Sequence, residues 1–531
     1  MARKNNINAV DIGAIIPKLK TCSGQRLQYY VGAKITSRSY IDIAADAEKL
    51  AAALKAAGIG QGDCVGILAN NCYQWLVADL ALIDLRAVCV ALPTENFGKT
   101  PAVVLAERFD LRLLLTDQPQ HLAEGETWIA DLARVDECAF QPRSSAGLDL
   151  GDRADLLSLS FSSGTSGKVK CLKFGRKGTS SLIVAFGRDF TFLPSDAMIA
   201  FLPLATVQQR WMFYTSIFYG FNLCLCIATR LFDALKSMKP TIVCAAPLLF
   251  ETVESHYLLL HAWLRAALKV GTAAAALLPA ALRRALLKRV YRGIHDVFGG
   301  NVRFFLVGSA PSRVSTLKFY TSIGLPLYEA WGLTEVGFMT WNIPGRARIG
   351  SVGVPVYDDA LLIKADGEIF VKHENLPCLG YYDVDPAEAS LTFPAPGLMA
   401  TGDLGYFKDG FLYISGRKKD IILTRGGVKI QPAELEAQIK TNPYVEHAVV
   451  FGGDEMPALK AVISMRGKAS GQERDIQAWV DSLNRAAAPS KKIGKLIFTN
   501  EKFTRENNML NRNLKIDRNV VFNKFKSELI G

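Results

Sequence analysis

Ser162-Ser163-Gly164-Thr165-Ser166-Gly167 ends an apolar run that begins at Leu156, and two lysines, Lys168 and Lys170, follow at once. Glycine lets a backbone come close to a ligand, hydroxyls and amides donate hydrogen bonds, and ammonium groups supply positive charge. The stretch therefore suits an anion, phosphate first among them. A flexible Ser/Gly turn with solvated lysines would share that composition. The spacing is not that of the NTPase loop GxxxxGK(S/T), which requires Gly where Ser162 stands and Ser or Thr where Val169 stands. A second group with chemical potential is Glu335, a carboxylate shortly after Gly332 and a reasonable ligand for a hard cation.

These groups need elements to hold them. Alternation through Leu157, Leu159 and Phe161 predicts a half-buried strand leading into the Ser/Gly loop. Residues 40–57 carry apolar side chains at helical spacing and stop at Gly58, which suits a helix C-cap. The glycines between Gly58 and Asp63 follow this helix and precede a strand-like stretch, the reverse of a dinucleotide fingerprint, so NAD binding is excluded. Strand, helix (Tyr73–Asp84) and strand (Ala87–Leu92) then form a βαβ pattern, which predicts a parallel sheet covered by helices. The aromatic-rich stretch Ala200–Gly220 is plain core on composition alone.

A chain of 531 residues exceeds one core and predicts at least two domains, one of them large. Ten scattered cysteines without a CxxC pair indicate reduced thiols and a cytoplasmic setting. Six dispersed histidines argue against a transition-metal centre. The N-terminal stretch lacks an unbroken apolar core and does not resemble a secretory signal. The net charge of +12 is concentrated between Ser255 and His295, where Arg265, Lys269, Arg283, Arg284, Lys288, Arg289 and Arg292 have no acid among them. The apolar residues between these cations are too few to span a bilayer and are interrupted by Pro279. Two readings stand: an amphipathic basic hairpin lying peripherally on an anionic membrane, or packed helices with a solvated face. No aromatic-basic platform supports nucleic-acid binding.

The string from Ser162 to Lys170 resembles the phosphate loop of the adenylate-forming (AMP-binding) superfamily, (S/T)SGT(T/S)GxPKG, with Val169 and Cys171 as departures. Further matches follow in order. Leu202-Pro203-Leu204-Ala205 and Arg210 resemble LPLxHxxER of the long-chain fatty acyl-CoA synthetases, with Thr206 and Gln209 in place of His and Glu. Pro240–Val253 resembles PTxxxxVPRxxEK, with Leu248 for the arginine. Gly308-Ser309-Ala310-Pro311 is similar to the GGAP turn beside adenine, and Trp331-Gly332-Leu333-Thr334-Glu335 to YGxTE. The match from Leu379 to Glu436, through TGDLG and GRKKD, is continuous, and the segment from Phe503 to Arg518 resembles FTxENGxLTPTxKLKR.

The resemblance implies an α/β fold: a large N-terminal adenylate-forming domain of mixed sheets and helices (1–418) and a small mobile α+β C-terminal domain (419–531). It implies ATP, Mg2+ and a thiol acceptor, coenzyme A or the phosphopantetheine of an acyl carrier protein. Lys515 would be the mobile catalytic lysine. Thr165, Lys170 and Glu335 would serve catalysis, with Thr165 and Glu335 at the metal. Ser162, Ser163, Gly164, Ser166, Gly167, Thr334, Trp331, Gly332 and the Gly308–Pro311 turn would hold the nucleotide. Asp403 would take the ribose hydroxyls, Arg417 ribose or phosphate, Lys419 would be the hinge, and Gly426 and Gly427 would meet the pantetheine arm. The expected activity is adenylation of a carboxylic acid, a medium- or long-chain fatty acid, followed by transfer to coenzyme A. The alternatives are an acyl-AMP ligase that loads a carrier protein and a non-catalytic nucleotide-binding scaffold.

Overall fold

Cys64–Leu68, Val88–Ala91 and Leu111–Thr116 are short apolar strands separated by helices, the pattern of strands covered on both faces, and they pair in parallel. The computed structural model describes residues 10–135, 137–163, 169–258, 262–424, 427–453, 456–466, 471–504, 506–510 and 516–530. The βαβ expectation holds: Tyr73–Asp84 is the helix between the first two of these strands. Tyr40–Ala56 is also helical, and Ser39 caps it in a reciprocal box with Asp42.

These strands belong to a seven-stranded sheet. Its other edge runs through Leu156–Ser163 and Val169–Gly175 to Cys378–Tyr382. A nine-stranded sheet contains Ile242–Ala245, Phe304–Val307, Leu327–Leu333 and Gly337–Trp341 in adjacent positions. One continuous core joins residues of both sheets, with Trp75 of the helix Tyr73–Asp84 and Trp211 of the helix Val207–Tyr219 fully buried in it. A four-stranded antiparallel sheet carries Leu398–Lys408 and Phe411–Arg417.

The strand Leu156–Ser163 departs from expectation. It is buried on both faces, because Ser158 and Ser160, which imitate a solvent face in the sequence, are as inaccessible as the leucines between them. Arg210, fully buried on the helix Val207–Tyr219, donates to Ser158 Oγ at 2.8 Å, to Ser160 Oγ at 2.7 Å and to Asp79 Oδ1 at 3.2 Å. Tyr214 donates to the other Asp79 oxygen at 2.5 Å. Such partners offset the cost of burying these polar groups.

Beyond residue 420, Val445–Gly453, Met456–Met465 and Ile493–Thr499 form a three-stranded sheet. The helices Pro432–Ile439 and Gln472–Ala486 bring Leu435, Ile439, Ile476 and Val480 to one of its cores, and Val521, Phe525 and Leu529 fill another. Arg313 reaches this region from the large one, donating to the Glu446 carbonyl at 3.3 Å and lying 3.4 Å from Glu251. Each of the ten cysteines is a free thiol.

The basic segment forms two helices, Ala262–Ala276 and Ala280–Val290, separated at Pro279. Ala275, Leu287 and Tyr291 face the core. Among the described residues, no helix is long and apolar enough to cross a membrane.

Candidate active site

Asp403 and Arg417 face each other because of a turn. Asp409-Gly410, both left-handed, makes the two-residue connection that pairs Lys408 with Phe411. A one-residue bulge between Leu404 and Gly405 then brings Asp403 opposite Arg417. Arg417 Nε lies 3.0 Å from Asp403 Oδ1, and the Trp331 indole donates to Oδ2 at 2.8 Å. The Asp403 amide donates to Thr401 Oγ1 at 3.1 Å. Asp403 is almost wholly buried, and Arg417 is about one third exposed. A carboxylate fixed by two donors in this way can still accept from vicinal hydroxyls.

The wall beside this pair is the turn Gly308-Ser309-Ala310-Pro311, which leaves the strand Phe304–Val307. A Cβ on Gly308 would lie 3.0 Å from the Ala330 carbonyl. Ser309 adopts φ 71°, a left-handed conformation that disfavours side chains, in the place where the family pattern has its second glycine. Behind the turn, burial pushes the Glu329 carboxyl up to about 7, against the opposing pull of Ser312 and the Gly350 amide.

Trp331 and Gly332 end the strand Leu327–Leu333, which folds back on Gly337–Trp341. A Cβ on Gly332 would fall 1.8 Å from the Gly337 carbonyl, so only glycine allows this hairpin to close. Its turn projects Thr334 and Glu335. Gln208 donates to Thr334 Oγ1 at 3.2 Å, and Tyr381 donates to Glu335 Oε1 at 3.1 Å.

Ser162 pairs with Lys170 and Ser163 with Val169, so the Ser/Gly loop joins two antiparallel strands. Lys170 Nζ lies 2.7 Å from Glu388 Oε1 and 4.7 Å from the centre of the Tyr381 ring. Glu388 belongs to the short helix Pro386–Thr392, which Asp385 caps. The expected site residues Gly164, Thr165, Ser166, Gly167, Gly426 and Lys515 lie outside the described residues.

Lys419 sits in the 3-10 turn Lys418–Asp420, next to Arg417. Gly427 has φ 72° and donates to the Thr424 carbonyl at 2.8 Å, with nothing near the position of a Cβ. Its backbone conformation, rather than crowding, calls for glycine. Gln209, in the place of the family's glutamate, accepts from the Phe201 and Leu202 amides at 3.0 and 3.3 Å. The amide oxygen performs the clamping that a carboxylate could.

Strand geometry thus brings Asp403, Arg417 and Trp331 together at one corner, and Lys170 and Glu335 together through Tyr381 at another; the hairpin of Leu327–Trp341 joins the corners. Sequence reasoning assigned no role to Tyr381, Glu388 or Gln208. Tyr381 and Glu388 both lie inside the continuous match from Leu379 to Glu436, where they were legible as motif but not as partners of Lys170.

The chain belongs to the AMP-binding enzyme family. The family described as AMP-binding enzyme matches residues 23–381, and the AMP-binding enzyme C-terminal domain matches residues 419–529. Among curated proteins, the chain is 28% identical over 542 residues to the long-chain-fatty-acid–CoA ligase FadD15 of Mycobacterium bovis, covering 89% of this chain and 88% of that protein. It is 27% identical over 425 residues to the 2-succinylbenzoate–CoA ligase of Bacillus velezensis, covering 76% and 77%. Its fold is that of ATP-bound MatB from Rhodopseudomonas palustris, with a TM-score of 0.73 at 20% identity over 98% of this chain and 100% of that one.

Proposed function

We propose that the protein is an ATP-dependent acid–thiol ligase that adenylates a carboxylic acid and transfers the acyl group to coenzyme A, with a medium- or long-chain fatty acid as the substrate. The observation that carries the reading is the pair of corners joined by one hairpin: a ribose-type acceptor at Asp403 and a lysine and a carboxylate at Lys170 and Glu335. A carboxylate cannot expel oxide, so it must first become a mixed anhydride with AMP. Carboxylate, triphosphate and transition state are all anionic, and positioned cations then supply most of the catalysis.

In this reading Asp403 and Arg417 hold the nucleoside, and Lys170 neutralises phosphate. Lys515 bridges the incoming carboxylate and the α-phosphate. Glu335 suits Mg2+, since it offers a hard oxygen donor at a turn tip and one of its oxygens is already oriented by a phenol. Bound there, the metal would offset phosphate charge. Division of the chain into domains 1–418 and 419–531, with Lys419 as the hinge between half-reactions, belongs to the same proposal. The fatty acid rests on the FadD15 relatives; the 2-succinylbenzoate ligases make an aromatic acid the competing substrate.

The test is acyl-hydroxamate formation and ATP–pyrophosphate exchange across fatty and aromatic acids, followed by thioester detection with coenzyme A and with a phosphopantetheinyl carrier protein. Exchange with a fatty acid and a coenzyme A thioester is expected. Exchange only with aromatic acids removes the fatty substrate, transfer only to the carrier protein removes coenzyme A, and no exchange with any acid removes the enzyme.

We also propose peripheral attachment to an anionic membrane through the helices Ala262–Ala276 and Ala280–Val290. Trp263 and Val270 are each 70% exposed, Leu277 88% and Leu282 59%, beside exposed Lys269, Arg283, Lys288 and Arg289. Apolar side chains flanked by cations fit a lipid interface, and each cation near it contributes about 1 kcal/mol. Replacing Arg283, Arg284, Lys288 and Arg289 by glutamine is expected to reduce salt-sensitive sedimentation with phosphatidylserine vesicles while leaving turnover of a short soluble acid unchanged. Sedimentation indifferent to both the substitutions and added salt returns the hairpin to ordinary packing.

A further inference from the structure

One aromatic side chain touches both the lysine and the carboxylate of the phosphate corner. Tyr381 lies on the strand Cys378–Tyr382, paired with Leu172 in the strand that also carries Lys170. Its ring packs edge-on against Phe393 at 5.2 Å. The register and this contact leave a side chain of only two torsions little freedom.

The face of that ring lies under the Lys170 ammonium, at a centroid distance of 4.7 Å that is within cation–π range. Its hydroxyl donates to Glu335 Oε1 at 3.1 Å. Between a phenol and a carboxylate, the hydroxyl is the donor of that bond. Lys170 and Glu335 carry opposite charges; joined directly, each would cancel the other. Tyr381 offers a π-face to the cation and a hydroxyl to the anion. Each group is thereby oriented, and the ammonium turns to Glu388 on an exposed helix, a partner that an incoming anion can displace.

We infer that Tyr381 is a positioning residue that sets Lys170 for phosphate through its ring and Glu335 for the metal through its hydroxyl, and so keeps the two from neutralising each other. The inference rests on the reading of Lys170 and Glu335 given above. It separates two effects that a generic structural tyrosine would lose together.

Tyr381→Phe retains the ring and removes the donor; Tyr381→Leu removes both. Binding is followed by isothermal titration of the full-length protein with α,β-methylene-ATP in EDTA, and by electron paramagnetic resonance of free Mn2+ in the presence of the same nucleotide. Loss of a hydrogen bond to a charged group predicts about tenfold weaker Mn2+ binding in Tyr381→Phe, with metal-free nucleotide affinity within about twofold of the parent. Tyr381→Leu should add about a threefold loss in metal-free nucleotide affinity. Tyr381→Phe that binds Mn2+ like the parent overturns the inference, as does equal loss of both affinities in Tyr381→Phe. Glu335→Gln is the reference: if it leaves Mn2+ binding unchanged, the reading of Glu335 falls and the inference with it, whereas weakened binding in Glu335→Gln but not in Tyr381→Phe removes the inference alone. The Tyr381→Phe arm decides the hydroxyl's part even if Tyr381→Leu does not fold.

Discussion

The corner of Asp403 and Arg417, proposed to hold the nucleoside, and the corner of Lys170 and Glu335, proposed to hold phosphate, hold their charges in opposite ways. At the first, Asp403 and Arg417 are neighbours in one antiparallel register, locked by an Asp-Gly turn and a bulge, and the carboxylate is buried under Trp331. At the second, Lys170 answers to Glu388 and Tyr381, which come from a different part of the chain, and Glu388 is about half exposed. A backbone ladder sets Asp403 opposite its own counter-ion, whereas at the second corner the ladder places Tyr381 beside Lys170 and leaves the counter-ion, Glu388, to a replaceable side-chain contact. Under the proposed function, the part that anchors a constant feature, the nucleoside, is the rigid one, and the part that receives triphosphate and releases pyrophosphate retains a displaceable counter-ion.

Under the proposed function, the lysine that belongs to neither corner has the largest effect: Lys515→Ala. A single fixed charge at an anionic transition state is worth about 3–4 kcal/mol, so ATP–pyrophosphate exchange should fall by two to three orders while thioester formation from supplied acyl-AMP persists. Asp403→Ala should strike the rigid corner, lowering ATP affinity by about 2–3 kcal/mol in calorimetry, with the rate at saturating ATP much less affected. Equal losses in affinity and rate would mean that Asp403 shapes the reacting atoms as well.

Glu329 tests what the rigid wall costs. Its folded carboxyl titrates near 7 rather than at the ordinary value near 4.5, so the stability linked to it is complete below 4.5 and is lost as pH rises through 7. Glu329→Gln cannot ionise and should gain on the parent by about 2 kcal/mol between pH 5 and pH 8, read from urea midpoints. A constant difference over that range would place the proton elsewhere.

The displaceable corner predicts a smaller change of opposite sign. Glu388→Gln releases Lys170 from an exposed pair worth about 0–1 kcal/mol, so ATP affinity should rise about two- to threefold, and weaker binding would mean that Glu388 helps rather than competes. The least effect is expected from Ser309→Gly, which relieves a left-handed serine and should stabilise the protein by about 0.5 kcal/mol without altering ATP affinity.

Legibility in the sequence follows the same division. The Asp409-Gly410 turn, the TGDLG stretch and GRKKD are local signals, and local signals determine strand register; Asp403 and Arg417, both carried by those motifs, face each other in the structure. The helix Tyr73–Asp84 and its flanking parallel strands were equally plain, because period and turn chemistry agree there. The partners of Lys170 were not, since nothing near a lysine in the sequence announces which distant carboxylate or ring will face it. The strand Leu156–Ser163 misled for a related reason. Serine alternating with leucine imitates a wet face, and only the arrival of Arg210 from a later helix dries it.

That arginine also dictates an order of assembly. Asp79 precedes it by 131 residues, and Ser158 and Ser160 by 52 and 50. During synthesis, Asp79 and both serines leave the ribosome well before the guanidinium that satisfies them. Until residue 210 emerges, sealing the strand against its helices would strand an unpaired carboxylate in the interior, a state disfavoured by several kcal/mol. Nascent chains halted before and after Arg210 has emerged from the ribosome would differ abruptly in protease resistance.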